Sequence, residues 1–198
     1  MELIQRCLIA AGSQGLPALI VLNKSDLPEH AGALSRLQPL ADLGYRLISV
    51  CAKDDVSNLR TAIEGHTSLL VGQSGMGKST LLNALVPDVQ ARTREISVFL
   101  DSGKHTTSHS ELYRLSESTS LIDSPGLQEF VLAHLDQHSL EQAFPEFRPF
   151  LGKCRFRDCH HTVEPDCALA KAVSNGLIPK ERLSLFRLLL AESSSHRL

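Results

Sequence analysis

Gly72, Gln73, Ser74, Gly75, Met76, Gly77, Lys78 and Ser79 form the pattern GxxxxGK[ST] without a gap, and Thr80 follows. Glycines at these spacings let successive backbone N–H groups converge on phosphate oxygens. Lys78 is then in reach of the β- and γ-phosphates, and the Ser79 hydroxyl can ligate Mg²⁺ at the start of a helix whose dipole favours anions. Asn23, Lys24, Ser25 and Asp26 read as NKxD. A carboxylate at the fourth position accepts hydrogen bonds from N1–H and the exocyclic amine of guanine. Adenine offers neither donor, and the wrong base would leave a buried charge unpaired. A polar turn after a strand is the plain alternative for NKxD alone, and the phosphate loop weighs against it. Cys51-Ala52-Lys53 could supply a backbone N–H to the guanine O6. Asp123-Ser124-Pro125-Gly126 is a DxxG element, with Asp123 placed to hold Mg²⁺ through water and Gly126 free to move when a γ-phosphate is present. Its next residue is Leu127, where many nucleotide hydrolases carry a water-orienting glutamine. His105, in Gly103-Lys104-His105-Thr106-Thr107, is the nearest candidate for that task. Thr106 or Thr107 could close on Mg²⁺ and the γ-phosphate.

A second constellation lies near the other end of the chain. Cys154, Cys159, His161 and Cys167 are spaced C-x4-C-x-H-x5-C, three thiolates and one imidazole for a closed tetrahedral Zn²⁺. No position is left open for catalysis, so the site is expected to be structural and to hold together a module too small for its own core. Adjacent His160 competes as a ligand. Lys153, Arg155 and Arg157 could meet phosphates, or simply form a solvated face. Cys7 and Cys51 are isolated in apolar contexts, and an odd total of five cysteines argues against a complete disulfide framework.

The elements that must position these residues follow from hydrophobic spacing. Leu3, Ile4, Cys7, Leu8 and Ala11 predict an opening helix, ended near Gly12 and Gly15. Residues 17–22 form an apolar run that predicts a buried parallel strand, and NKxD sits at its carboxyl end, the edge where open α/β sheets bind ligands. Leu34, Leu37 and Leu40 predict a helix interrupted by Pro39. Residues 45–50 predict a second strand, Leu59 and Ile63 a short helix, residues 67–71 the strand before the phosphate loop and residues 81–86 the helix after it. Residues 87–110 are expected to form a mobile loop. Residues 111–115 and 118–122 are expected to pair as a hairpin leading into DxxG. A helical region is expected from Gly126 to about Phe147, and a last helix starts at Pro179.

Composition bounds the answer. The chain has 198 residues, 42% apolar and 21% charged, with a formal net charge of −2. That excludes a disordered tail and a wholesale basic nucleic-acid wrapper, so any RNA contact must be local. No run approaches the ~20 apolar residues of a membrane span, and the N-terminal apolar segment is too short and poorly flanked for a secretory signal. The expected address is the cytoplasm, and the expected architecture is α/β.

Motif order is the identifying feature: base-reading NKxD precedes the phosphate loop, Thr-Thr and DxxG, as in a circular permutant. With Gly-Lys-His-Thr-Thr, Asp-Ser-Pro-Gly and the tract from Gly152 through Cys167, the chain closely resembles the ribosome small subunit-dependent GTPases of the RsgA (YjeQ) family. The resemblance implies a circularly permuted P-loop GTPase domain over 1–147, with a mostly parallel sheet and flanking helices, and a helical zinc-binding module over 148–198. It implies a cytoplasmic, monomeric GTP phosphohydrolase that binds GTP and GDP, uses Mg²⁺ and one structural zinc, and acts with rRNA late in small (30S) subunit maturation. Implied roles are guanine binding by Asn23, Lys24, Ser25, Asp26, Ala52 and Lys53, and phosphate binding by residues 72–80. Asp123 and Gly126 complete the nucleotide site, magnesium falls to Ser79, Thr107 and Asp123, and catalysis to Lys78 and His105. The alternative is a truncated, catalytically weak nucleotide- and rRNA-binding fragment. The family's N-terminal oligonucleotide-binding barrel is expected to be missing, as is the strand between the phosphate-loop and NKxD strands, so that either the N-terminus is truncated or the sheet closes up or borrows a strand.

Overall fold

The computed structural model describes residues 1–86, 110–124 and 131–195. Two compact units divide the chain, one comprising Leu19–Glu129 and the other Met1–Ala18 together with Phe130–Leu198. This differs from the expected division at 147/148: the opening helix and the stretch before residue 148 both fall in the unit that carries the cysteine cluster.

In the unit of residues 19–129, the apolar run forms β1 (Leu19–Leu22), followed by α2 (His30–Asp42), β2 (Arg46–Ser49), α3 (Ser57–Ile63), β3 (Thr67–Leu70), α4 (Lys78–Leu85), β4 (Glu111–Arg114) and β5 (Ser120–Asp123). β1 and β2 pair in parallel from Leu19 opposite Arg46 to Leu22 opposite Ser49. β3 pairs in parallel with β5, and β4 pairs antiparallel with β5, which bears out the expected hairpin. Among the described residues the strands form two sheets, β1-β2 and β3-β5-β4. Among these residues β1 and β3 each have a ladder partner on one side only. α3 and α4 cover a shared core of Val50, Leu59, Ile63, Leu81, Leu82, Leu85, Tyr113 and Leu121. Each such leucine contributes about 1.5–3 kcal/mol by leaving water.

One helix departs from expectation. Pro39 does not interrupt α2, which runs on to Asp42. The ring removes an N–H and crowds the Ser35 carbonyl. Burial of Leu37 and Leu40 on either side of it holds the turn in place.

The other unit opens with α1 (Glu2–Ser13) and continues through α5 (Gln137–Ala143), a 3₁₀ segment (Pro145–Phe150), α6 (Ala168–Ser174) and α7 (Lys180–Ser195). Among the described residues, the helical region expected before Phe147 is α5 and the 3₁₀ segment, and α6 was not foreseen. Phe144 stacks on Phe147 at 4.6 Å, and Phe186 meets both rings edge-on at 5.8 and 5.5 Å. Ile9, Leu140, Leu169, Ile178 and Leu189 complete this core. Arg182 lies over the Phe144 ring at 4.5 Å, ion-pairs with Glu146 and donates to Gln5 Oε1. Gly12 permits close approach of α1 to α5: a Cβ there would lie 3.0 Å from the Ala143 carbonyl oxygen.

Candidate nucleotide site and metal centre

β1 runs parallel to β2 and β3 to β5, so the loops of each pair deliver its two motifs to the carboxyl ends of its own sheet, and hydrogen bonds from Asn23 and Lys24 to the phosphate loop join the two sets. Asn23 ties three of these loops together. Its Oδ1 accepts from the backbone N–H of Ala52 at 3.1 Å and of Lys24 at 2.8 Å, while Nδ2 donates to the Met76 carbonyl at 3.4 Å. Lys24 adopts φ 63° and donates through Nζ to the Gly75 carbonyl at 3.4 Å. A left-handed non-glycine residue costs about 1–3 kcal/mol and persists only where its surroundings fix it.

Gly77 (φ 92°) caps α4, and a Cβ there would lie 2.5 Å from Asn23 Nδ2. Glycine is thus required where the base-reading and phosphate-binding loops touch. Lys78 Nζ donates to the Gly72 carbonyl at 2.7 Å, which holds its charge over the loop. Gln73, Ser74, Gly75, Met76, Ser79 and Thr80 are exposed, as are Asp26 and Lys53, while Ser25 is half-buried. The Cys51 thiol donates to Asp26 Oδ1 at 3.4 Å, a contact that the reading of Cys51-Ala52-Lys53 as a backbone donor overlooked.

Asp123 ends β5. Among the described residues its Oδ1 is buried without a hydrogen-bond partner. Burial raises its pKa above the usual carboxylate value, the Lys78 charge lowers it and Glu111 raises it, for a net rise. An orphaned carboxylate oxygen beside the Lys78 charge is the donor that a hard cation or its water would satisfy, so this position fits magnesium. His105, Thr106, Thr107, Gly126 and Leu127 lie outside the described residues.

Among the described residues, Cys154, Cys159, His161 and Cys167 bring their ligand atoms within 4.8 Å of one another. His161 Nδ1 lies 3.5 Å from the sulfurs of Cys154 and Cys159 and 3.3 Å from that of Cys167. A single imidazole lone pair accepts one hydrogen bond, so hydrogen bonding does not explain three thiols converging on one nitrogen. Zinc does: Zn–S near 2.3 Å and Zn–N near 2.0 Å at tetrahedral angles give N···S edges of about 3.5 Å. Cys167 caps α6 and accepts from Ala170 N–H, and Cys154 Sγ accepts from Ala168 N–H, both of which favour thiolate. Burial pushes the Cys159 thiol up to about 12. Burial also opposes charge on the His161 ring, but its bonds to Glu141 and Cys167 outweigh this and leave the pKa raised.

His160 is not part of the cluster. It is exposed, and its Nδ1 meets Gln137 Oε1. Glu164 gathers the backbone N–H groups of His160, Thr162 and Val163, which hold its carboxyl down to about 2. Arg155 pairs with Asp166 across 3.0 Å at the surface.

The sequence model of the RsgA GTPase family matches residues 1–133. The chain belongs to the RsgA GTPase family. It is 50% identical over 203 residues to the small ribosomal subunit biogenesis GTPase RsgA of Paraburkholderia xenovorans, covering 98% of this chain and 64% of that one. It is also 50% identical over 187 residues to the RsgA of Neisseria meningitidis serogroup B, covering 94% and 61%. The chain thus spans less than two thirds of the length of these RsgA relatives. Among solved structures it resembles YjeQ from Thermotoga maritima, with a TM-score of 0.75, 26% identity, and coverage of 98% of this chain and 66% of that one. YloQ, described as a circularly permuted GTPase, matches with the same TM-score at 24% identity, covering 98% and 63%. The RsgA fold, with NKxD ahead of the phosphate loop, is accordingly the fold of this chain.

Proposed function

We propose that this chain binds GTP and GDP and hydrolyses GTP in the service of small ribosomal subunit maturation. The observation that carries the reading is the Asn23 clamp, which joins an NKxD loop, the Ala52 backbone and a phosphate loop into one site in the permuted order. Asp26, with Cys51 donating to it, reads the guanine edge, and the Ala52 and Lys53 backbone faces O6. The backbone of residues 72–77 cradles the phosphates, and Lys78 turns from Gly72 to the β- and γ-oxygens, where charge accumulates in the transition state. Ser79, Thr107 and Asp123 would hold magnesium, which supplies charge neutralisation between the β- and γ-phosphates when bound. His105 orients the attacking water in place of a glutamine at position 127. The small-subunit role rests on the relatives named above, and a monomer acting in the cytoplasm is proposed with it. Among the described residues no helix is long and apolar enough to cross a membrane. Cys154, Cys159, His161 and Cys167 would hold one structural zinc, beside which Lys153, Arg155 and Arg157 face rRNA.

The test is GTP turnover with and without purified 30S subunits. Subunit-stimulated hydrolysis that Lys78→Ala abolishes is expected. Guanine-specific binding without turnover would leave the nucleotide- and rRNA-binding alternative, for which the one-sided pairing of β1 and β3 speaks.

A further inference from the structure

The metal centre is gripped from outside by one helix. Glu141 Oε1 lies 3.2 Å from His161 Nε2, on the side of the ring opposite the three sulfurs. Both side chains are largely buried, at 14% and 5% exposure. One turn earlier on α5, Gln137 Nε2 donates to Glu141 Oε1 at 2.6 Å and to the Cys159 carbonyl at 2.9 Å. From α7, Arg187 Nε donates to the His161 carbonyl at 2.7 Å. His161 itself is left-handed, with φ 60°.

We propose that Glu141 is a positioning residue for the zinc centre, fixing the His161 tautomer so that Nδ1 offers its lone pair to the metal, with Gln137 fixing Glu141 in turn. A neutral imidazole carries one N–H. With that hydrogen on Nε2 it donates to Glu141 and leaves Nδ1 free for the metal. With it on Nδ1, a hydrogen points into the sulfurs and the Nε2 lone pair faces a carboxylate oxygen. The carboxylate selects the first arrangement and raises the basicity of the ligating nitrogen. The i, i+4 spacing of Gln137 and Glu141 puts both on one face of α5, so one helix holds two of the four ligands, His161 by its ring and Cys159 by its backbone. This inference rests on the zinc reading above.

The test is zinc affinity of the full chain, measured by competition with a chromophoric chelator, for wild type, Glu141→Ala, Glu141→Gln and the exposed-site control Gln142→Ala. Wild type and the control are expected to bind one zinc equally tightly. Glu141→Ala should bind 10–100-fold more weakly. Glu141→Gln keeps the shape and one acceptor, and should recover part of that loss. In the zinc-loaded wild type, imidazole ¹⁵N shifts should report hydrogen on Nε2 of His161. Zinc affinity of both Glu141 variants within twofold of wild type, or an Nδ1–H tautomer, overturns the proposal. A wild type that binds no zinc overturns the metal-centre reading itself.

Discussion

Asn23 uses both ends of its amide on main-chain groups of three loops, so its loss should be felt as disorganisation of the nucleotide site rather than as loss of a ligand contact. Asn23→Ala is expected to weaken binding of a fluorescent GDP analogue about 10–100-fold with the circular dichroism spectrum unchanged. Two net hydrogen bonds of ~0.5–1.5 kcal/mol each correspond to that range. Asp26→Asn should weaken GTP binding while relatively improving xanthine nucleotides. Unchanged base preference in competition titrations would remove Asp26 from guanine recognition. At this scale the sequence was informative wherever a motif is contiguous: residues 23–26 and 72–79 announce themselves because their chemistry is written in neighbouring positions. Glu141 was not legible, since its partner His161 lies 20 residues on and only the path of the chain through the cysteine cluster brings them together. A Gln-x3-Glu pair on a short helix was the one available signal. Cys51 beside Asp26 was missed because Cys51-Ala52-Lys53 reads as a backbone donor, and nothing in the sequence pairs its thiol with a residue 25 positions earlier.

Helices and strands carry the next set of consequences. Glu146 and Arg182 are 5% and 3% exposed, and removing one partner leaves the other charge buried. Glu146→Ala is expected to destabilise the unit of α1 and α5–α7 by about 3–5 kcal/mol in urea unfolding. Pro39 gives the opposite sign: it is exposed within α2, so Pro39→Ala restores an N–H for the Ser35 carbonyl and should stabilise by about 1–3 kcal/mol. Strands and the α3 and α4 helices were readable from apolar runs and spacing, because burial on a sheet leaves a continuous apolar signature. α6 was hidden among polar and small residues: it starts at the Cys167 cap, and its burial of Leu169 and Ala172 depends on the cluster that precedes it. The extent of α2 was misjudged because tertiary burial of Leu37 and Leu40 outweighs the local penalty of proline.

For the whole molecule, the proposed function predicts that ligands of two kinds stabilise two units. GDP at 100 times its dissociation constant should stabilise the unit Leu19–Glu129 by about 2.7 kcal/mol, read as a shift of its calorimetric transition. A zinc-selective chelator should lower the transition of the other unit. The zinc-free state of that unit also has a defined pH dependence. The Cys159 thiol, ordinarily near 9, is pushed up to about 12 by burial, so its contribution is fully present below pH 9. It is lost as pH rises through the interval toward 12. Thermal melts of the chelated protein should therefore weaken above pH 9. Zinc-loaded protein should fail in the opposite direction, as acid protonates the ligands. The permuted order was legible in the sequence, whereas whether the sheet closes up beside the phosphate-loop and NKxD strands was not. α1 joins residues far away in the chain through surfaces such as Gly12 against Ala143, a grouping that no local pattern in the sequence signals.

Among the described residues β1 has a single ladder partner, β2, and that pairing has a kinetic signature. Successive residues of a parallel strand turn their N–H groups to opposite sides, so only every second amide of residues 19–22 is bonded to β2. In deuterium oxide these four residues should alternate between slow and fast isotope uptake, and β3 should do the same along its ladder with β5. In β5, flanked by β3 and β4, every amide should be slow.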